Sequence, residues 1–260
     1  MAVVTRRFKL VVAYLGTGFS GWQRQRGART VQDELESALA RFVRAKSPPK
    51  VVAAGRTDAG VHAAGQVAHV DLPAGIDPAT LARGLATRLP HDLRVVSAVV
   101  ASEGFHARYD AVAKRYVYRL AHRRSTRPWA DLRHAVVAAP LDTDRLARVL
   151  ERFLGRRDVA SFSVTDPGVR STVRTLAQAS CRVTPRGAVL TFVGDGFLRY
   201  QVRRMVGAAI DVASGVHDLG WIDRLLAAPT PGARIRTAPA NGLTLDRVWY
   251  RRPKVLDSLW

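Results

Sequence analysis

The chain has 260 residues, of which 47% are hydrophobic, enough to bury the core of one large domain or of two domains of ordinary size. Lys and Arg number 41 against 21 Asp and Glu, and the formal net charge of +20 favours a polyanionic partner over a merely solvated basic surface. A single cysteine excludes an internal disulfide and predicts a reducing, cytoplasmic location, while the lack of a long apolar run argues against membrane insertion.

The first hundred residues predict alternating strands and helices. Apolar residues at every second position from Phe8 to Tyr14 predict a half-buried strand. Thr30 is a typical helix N-cap, with Asp33 placed to complete a capping box. The elements that follow are strands Val51–Ala54 and Gln66–Leu72, a helix after Asp77 that carries Leu81, Leu85 and Leu89, and a strand Leu93–Val100. This β-α-β-β-α-β order is the split arrangement of an antiparallel sheet with helices on one face, which many RNA-binding modules share.

The rest of the chain predicts a second α+β unit. Its elements are a strand Tyr116–Leu120, a helix Asp142–Leu154, a hairpin of strands Thr172–Val183 and Ala188–Gly194, a helix from Phe197 to just before Gly215, a short helix Trp221–Ala227 and a last strand Leu243–Tyr250. We therefore predict an α+β fold of two RRM-like or ferredoxin-like subdomains, residues 1–104 and 105–260. Their antiparallel sheets are expected to flank a central basic active-site cleft.

The glycines of residues 16–21 match the pattern G-x-G-x-x-G and follow the first strand. In a dinucleotide-binding fold the last glycine opens a helix whose N-terminus holds a pyrophosphate, but here residues 22–27 intervene before any helix signal. The same loop places Trp22 beside Arg24 and Gln25, a composition that suits contacts with phosphates and bases and equally suits an ordinary basic hairpin.

Residues 55–63, with the sequence GRTDAGVHA, form the most informative segment. They are predicted to be a loop between two strands, with a glycine on each side of Asp58. Such a loop can present one carboxylate rigidly, although an aspartate in this setting is also typical of a simple turn in which the side chain bonds its own backbone. The residues alone leave both interpretations open.

The segment GRTDAGVHA resembles the signature loop of the TruA-type tRNA pseudouridine synthases. Four further segments resemble that family in the same order: Tyr14 and Gly16 with residues 19–25 (FSGWQRQ), residues 105–108 (FHAR), 114–118 (KRYVY) and 196–207 (GFLRYQVRRMVG). Leu15 departs from the family, which usually has a polar residue there. The resemblance implies that Asp58 is the catalytic carboxylate, that Tyr116 is the active-site tyrosine and that Arg203 pairs with Asp58. Arg56 would fill the space left in the RNA by a flipped-out uridine.

The resemblance also implies the substrate, which would be uridines 38, 39 and 40 in the anticodon stem-loop of tRNA, and a homodimer as the active form. Contacts with the RNA are expected from Arg24, Gln25, Lys114 and Arg115. The isomerisation requires no cofactor, and the histidines and the cysteine lack the spacing of a zinc site. A guanidinium beside Asp58 would keep that carboxylate ionised, because a neighbouring opposite charge typically lowers a carboxylate pKa by about 1 to 3 pH units.

Two other functions remain compatible with the fold and the charge. A non-catalytic RNA-binding protein would show the same element order and basic surface, but it would leave the Asp58 loop without a purpose. A small-molecule enzyme of the dinucleotide class is disfavoured because no helix follows Gly21. For the synthase, the sequence leaves open whether the carboxylate attacks C1′, adds to C6 or acts as a base.

Overall fold

A computed structural model of the chain describes residues 4–127, 132–138, 141–164 and 168–254. The described residues form two compact units, one made of residues 4–111 and 245–250, the other of the described parts of 112–244 and 251–254. In chain order the elements are β1 (Thr5–Tyr14), α1 (Val31–Val43), β2 (Val52–Ala53), β3 (His62–Pro73), α2 (Pro78–Ala86), β4 (Leu93–Val100), β5 (Ala113–His122), β6 (Ala135–Val137), α3 (Thr143–Arg152), β7 (Gly155–Asp158), β8 (Val173–Thr184), β9 (Gly187–Gly194), α4 (Gln201–Ala213), α5 (Leu219–Ala227) and β10 (Leu243–Trp249). The mixed α+β class predicted from the sequence is confirmed.

The first unit is built on a sheet with the strand order β4-β1-β3-β10, to which β2 is added by pairing with β3. β1 is antiparallel to both of its neighbours. Its predicted alternation is confirmed, since Phe8, Leu10, Val12 and Tyr14 are all buried while the residues between them are partly exposed. Each buried apolar side chain of this kind stabilises the unit by about 1.5–3 kcal/mol.

The two helices of the first unit begin where their capping residues predicted. The Thr30 hydroxyl accepts the backbone N–H of Asp33, and the Asp77 carboxylate accepts that of Thr80. Such caps satisfy helix N–H groups that have no partner within the helix, and each contributes about 1 kcal/mol. On α1, the side chains of Val31, Leu35 and Leu39 are fully buried, and that of Phe42 is partly exposed.

The second unit contains the strand order β5-β9-β8-β7, with β6 parallel to the end of β5. β8 and β9 form the predicted hairpin, in which Thr184 pairs with Gly187 across a turn at Pro185-Arg186. α3 begins after Asp142, whose carboxylate accepts the N–H groups of Asp144 and Arg145. Among the described residues, no helix combines the length and the apolar character needed to cross a membrane.

The expected start of the helix at Phe197 was wrong, because α4 begins only at Gln201. Tyr200 has a left-handed backbone with φ of +60°, which a helix cannot contain, and Arg199 pairs with Val164 in an isolated bridge. The side-chain oxygen of Gln201 instead accepts the N–H of Leu198 at 2.8 Å. Residues 197–200 therefore form a structured entry to the helix.

Two smaller corrections concern the first unit. β3 begins at His62 rather than at Gln66, because residues 62–65 already pair with β1 or lie in the same extended strand. Leu89 is buried but lies beyond the end of α2, which stops at Ala86.

Candidate active site

Asp58 lies in a tight turn between β2 and β3. The N–H of Val61 donates to the carbonyl oxygen of Asp58 at 3.1 Å, and Gly60, the third residue of the turn, has a φ of +79°. A type II turn requires this left-handed conformation at its third position, which explains the glycine. The Asp58 side chain is half-exposed and Arg56, two residues earlier, is exposed. The turn therefore presents a carboxylate and a guanidinium from one short segment.

The loop of residues 16–21 packs directly against this turn. The N–H of Trp22 donates to the Thr57 carbonyl at 3.1 Å, and the N–H of Gly60 donates to the Phe19 carbonyl at 3.2 Å. A methyl group at Gly21 would lie 2.7 Å from the Thr57 oxygen, closer than real contacts allow. Gly16 and Gly21 thus permit close contact between this loop and the backbone of residues 57–61, and hydrogen bonds hold the residues on each side of Asp58.

The prediction that no helix opens at Gly21 is confirmed. α1 begins only at Val31, ten residues beyond Gly21. The N–H of Gly16 already donates to the imidazole Nδ1 of buried His62 at 2.9 Å. A pyrophosphate would need a helix N-terminus and free amides in the loop. Here the helix begins ten residues too late, and the Gly16 amide already donates within the protein.

A buried polar cluster lies behind the turn, and the sequence reasoning missed it. The hydroxyls of Tyr14 and Thr57 are 2.8 Å apart, and the Gln66 amide donates to the Gly55 carbonyl at 2.8 Å. Burial raises the pKa of Tyr14 to about 12, although hydrogen bonds with Thr57 and Gln66 act in the opposite direction. The tyrosine therefore keeps its proton at neutral pH and can donate it to a hydrogen bond within this cluster.

Arg24 and Gln25, the predicted RNA contacts of the first unit, both make contacts within the protein. The Arg24 guanidinium lies 2.8 Å from carboxylate oxygens of both Asp33 and Glu36 on α1. The Gln25 amide donates to the Ser20 carbonyl at 3.0 Å. These contacts order the loop that carries the two side chains, which remain exposed.

Tyr116, Lys114 and Arg115 lie at the beginning of β5 in the second unit. Tyr116 is buried, and its ring meets that of Phe197 edge-on with a centroid distance of 5.0 Å. Lys114 and Arg115 are half-buried and pair in register with the last two residues of β9. The aromatic pair joins β5 to the segment that leads into α4.

Arg203 is half-buried in the first turn of α4. Its guanidinium Nε donates to the Ala238 carbonyl at 2.8 Å, while the N–H of Ala238 donates back to the Arg203 carbonyl at 3.0 Å. The guanidinium also lies 5.2 Å from the centroid of the Tyr200 ring. These contacts restrict the Arg203 side chain to a narrow range of positions. A guanidinium that positions a neighbouring charge needs such a restriction.

Arg204, the next residue, is buried and serves a different purpose. It donates to the carbonyl oxygens of Ser163 and Ala233, and burial lowers its pKa. Nothing in the sequence pattern distinguishes Arg204 from a solvated arginine, yet its side chain is only 6% exposed. The residue instead ties two loops of the second unit to α4.

A family model described as tRNA pseudouridine synthase matches residues 10–110 and 149–251. A protein from Leuconostoc citreum is 39% identical over 252 residues, covering 94% of this chain and 97% of the relative. One from Cutibacterium acnes is 42% identical, covering 94% and 88%, and one from an Exiguobacterium species is 39% identical, covering 95% and 99%. All three bear the name tRNA pseudouridine synthase A. Among the described residues, no group of three or more His, Cys, Asp or Glu side chains is placed to hold a metal ion.

Proposed function

Because this chain belongs to the tRNA pseudouridine synthase family, we propose that it converts uridine to pseudouridine in tRNA. The reaction breaks the bond from N1 of uracil to C1′ of the ribose and forms a bond from C5 to C1′. C5 loses its proton and N1 gains one, so that the reaction has no net redox change. The observation that supports this function best is a single aspartate on a turn that backbone contacts hold on both sides.

Asp58 is the proposed catalytic carboxylate. Its turn is fixed by hydrogen bonds from Trp22 to Thr57 and from Gly60 to Phe19, so the carboxylate starts from a defined position. A half-exposed side chain on such a turn can reach a substrate from solvent. Attack at C1′, addition to C6 of the uracil and proton abstraction from the sugar are all within the chemistry of one carboxylate.

Three further residues have proposed roles that follow from the family resemblance. Arg203 pairs with Asp58 and keeps it ionised, and its double contact with Ala238 supports a positioned guanidinium. Tyr116 stacks on the uracil while the detached base turns. Arg56 fills the space that the flipped nucleotide leaves in the RNA, and its exposure two residues from Asp58 supports that role.

The proposed substrate region is the anticodon stem-loop, at positions 38, 39 and 40. The net charge of +20 supports a polyanionic substrate. Arg24, Gln25, Lys114 and Arg115 are the proposed contacts with the RNA. No cofactor is needed for the reaction, and the proposed location is the cytoplasm.

A homodimer is the proposed active form. β4 is the outermost strand of the first unit's sheet, and three of its valines are exposed, Val96, Val99 and Val100, by 61%, 49% and 44%. Exposed apolar side chains on an edge strand favour association, because proteins that stay monomeric usually protect such edges with charges or bulges. These valines support self-association of the chain.

The experiment that tests this function is tritium release from unmodified tRNA labelled at C5 of uridine. The wild-type protein is expected to release tritium, and Asp58→Asn to lower the rate by about 10²–10⁴-fold, the usual contribution of a positioned acid or base. Asp144→Asn, which changes an exposed carboxylate on α3, is the matched control and should keep full activity.

The possible outcomes separate an enzyme from a binding protein. Retained folding and tRNA affinity in Asp58→Asn, together with lost tritium release, would support the proposed catalytic role. Equal release by the wild type and Asp58→Asn would exclude Asp58 as the catalytic group. No release by either protein, with tRNA affinity intact, would instead favour a non-catalytic RNA-binding protein.

A further inference from the structure

Tyr109 is unusual among the aromatic residues of this chain because its side chain faces solvent. It is 77% exposed, whereas every other Phe, Tyr and Trp in the described residues is buried or half-buried. An exposed aromatic ring leaves a large apolar surface in water, at a cost that a binding partner can relieve. A ligand with a flat apolar surface would cover this ring.

The Tyr109 ring is held in a fixed orientation despite its exposure. It stacks on the imidazole of His106 with a centroid distance of 4.2 Å and an interplanar angle of 25°. The Nδ1 atom of that imidazole accepts the N–H groups of both Arg108 and Tyr109 at 3.2 Å. The Asp110 carboxylate in turn accepts the N–H of His106 at 2.8 Å. One face of the ring is thus covered by His106 and the ring is ordered before any ligand arrives.

The turn that carries Tyr109 is anchored to the core of the first unit. The N–H of Ala107 donates to Nδ1 of buried His69 at 3.0 Å, and the Tyr250 hydroxyl donates to the Ala107 carbonyl at 2.7 Å. The Arg7 guanidinium donates to the Phe105 carbonyl at 2.8 Å. Because these contacts come from β1, β3 and the residue that follows β10, the turn that carries the ring is held in place by the sheet of the first unit.

The charges around the ring suit a nucleic acid. The guanidinium of Arg108 lies 5.9 Å from the centroid of the Tyr109 ring. The acidic residue next to Tyr109 in the chain is Asp110, whose carboxylate already accepts the N–H of His106. A planar aromatic ring with an arginine beside it is the arrangement on which RNA-binding proteins stack unpaired bases, with the arginine directed at the backbone phosphate.

We infer that Tyr109 is a stacking platform for an unpaired nucleobase of the RNA substrate, with Arg108 contacting the adjacent phosphate. The inference rests on the proposed function for the nature of the ligand, an RNA with unstacked bases. It adds a second point of attachment, separate from the Asp58 turn. Ordering of the ring by His106 before binding favours affinity, since little conformational freedom of the side chain is then lost in the complex.

The test is equilibrium binding of unmodified tRNA to Tyr109→Ala and Tyr109→Phe, measured over a range of salt concentrations. Loss of one base–aromatic stack weakens binding by about 5- to 150-fold, so Tyr109→Ala should raise the Kd within that range and Tyr109→Phe should remain near the wild type. Val216→Ala, which shortens a side chain that is 65% exposed in the second unit, is the matched control and should bind normally.

The salt series separates stacking from charge. Stacking releases no counterions, so Tyr109→Ala should shift log Kd by the same amount at every salt concentration. Arg108→Gln, which removes a phosphate contact, should instead make binding less dependent on salt, by about one unit of the logarithmic slope. Thermal unfolding of Tyr109→Ala should match the wild type, because the side chain lies outside the core.

The outcomes distinguish failure of this inference from failure of the proposed function. A wild-type protein that binds tRNA and releases tritium, with Tyr109→Ala equal to it in Kd and rate, would overturn the stacking platform and leave the synthase intact. Weaker binding by Tyr109→Ala without tritium release from any variant would overturn the synthase and support the platform. A Tyr109→Phe variant as weak as Tyr109→Ala would also overturn stacking, because the phenyl ring retains the surface.

Discussion

The contact between Gly21 and the Asp58 turn predicts a specific defect in the variant Gly21→Ala. The new methyl group would lie 2.7 Å from the Thr57 carbonyl oxygen and 3.2 Å from the N atom of Ala59, so the turn must withdraw by about 0.7 Å to reach an ordinary contact of 3.4 Å. The φ of +88° at this position adds backbone strain. A displacement approaching 1 Å at a catalytic group costs about a hundredfold in rate. We expect a loss of that order in turnover, with tRNA affinity nearly unchanged.

Gly27 provides the matched control, since it lies in the same loop region with a φ of +72° and has no atom within 4 Å of the position of an added methyl group. Gly27→Ala therefore carries the backbone strain, about 1–3 kcal/mol, without the overlap. Gly21→Ala carries both, and overlap with a packed backbone costs about a further 1–3 kcal/mol. For a chain of this size the additional cost corresponds to a Tm lower by roughly 2–12 °C.

The assays are single-turnover tritium release, tRNA binding by filter retention and thermal unfolding monitored by circular dichroism. We expect Gly27→Ala to keep most of its turnover while Gly21→Ala loses it. If both variants lost turnover equally, backbone strain in the loop rather than contact with the turn would be responsible. Full activity in Gly21→Ala would refute the argument that the close approach positions Asp58.

The remaining predictions concern a buried hydrogen bond and a surface ion pair. Tyr14→Phe leaves the Thr57 hydroxyl without its partner, which should lower the free energy of unfolding by about 1–3 kcal/mol. In tritium-release kinetics, the variant should lower kcat more than it raises KM. An unchanged kcat would show that the buried cluster does not contribute to catalysis. The Arg29 guanidinium beside Asp92 lowers the pKa of that carboxyl. The ion pair therefore stabilises the fold fully at pH values above the ordinary carboxyl pKa of about 3.9, and this stabilisation is lost as the pH falls through the lowered pKa of Asp92. Asp92→Asn should therefore lower the Tm at pH 7 and match the wild type at the acid end of a pH series; a constant difference at every pH would contradict the assignment.

Local signals were sufficient where a residue acts on its own neighbours in the chain. The cap residues Thr30 and Asp77 marked the starts of α1 and α2 correctly, because a capping side chain bonds an N–H group only three residues away. The alternation of β1 was equally reliable, since one face of that strand is buried along most of its length. These parts of the fold depend on short-range chemistry.

The elements that the sequence misplaced depend on distant partners. Apolar residues continue from Phe197 into α4 at helical spacing, and nothing local shows that Tyr200 adopts a left-handed backbone before the helix. The contact of Arg199 with Val164, 35 positions earlier in the chain, holds that conformation. Similarly, no local pattern indicates that residues 245–250 return to the sheet of the first unit, because the choice of a strand's partner is a tertiary property.

In the candidate site, too, some residues could be predicted from a local sequence pattern and others could not. The signature segment identifies Asp58, but the residues that support its turn are a tyrosine, a threonine and a glutamine with no distinguishing pattern of their own, Tyr14, Thr57 and Gln66. The G-x-G-x-x-G pattern carried a real signal, the need for positions without a side chain. At Gly16 and Gly21 its cause is the approach of another backbone, and a sequence cannot tell whether a backbone or a phosphate fills the space beside a glycine.

The net charge of the chain does not show which of its cationic side chains are already paired with carboxylates and which are available to contact RNA. Arg24 contributes to the +20 total, yet its guanidinium lies between the carboxylates of Asp33 and Glu36, and Glu36 is 3% exposed. A buried carboxylate deprived of its cation is costly, so this arginine also stabilises the loop against α1. Arg26, two residues later, is exposed and has no carboxylate partner among the described residues. A phosphate would compete with two carboxylates for Arg24 but with none for Arg26, which makes Arg26 the stronger electrostatic contact that this loop can offer to RNA.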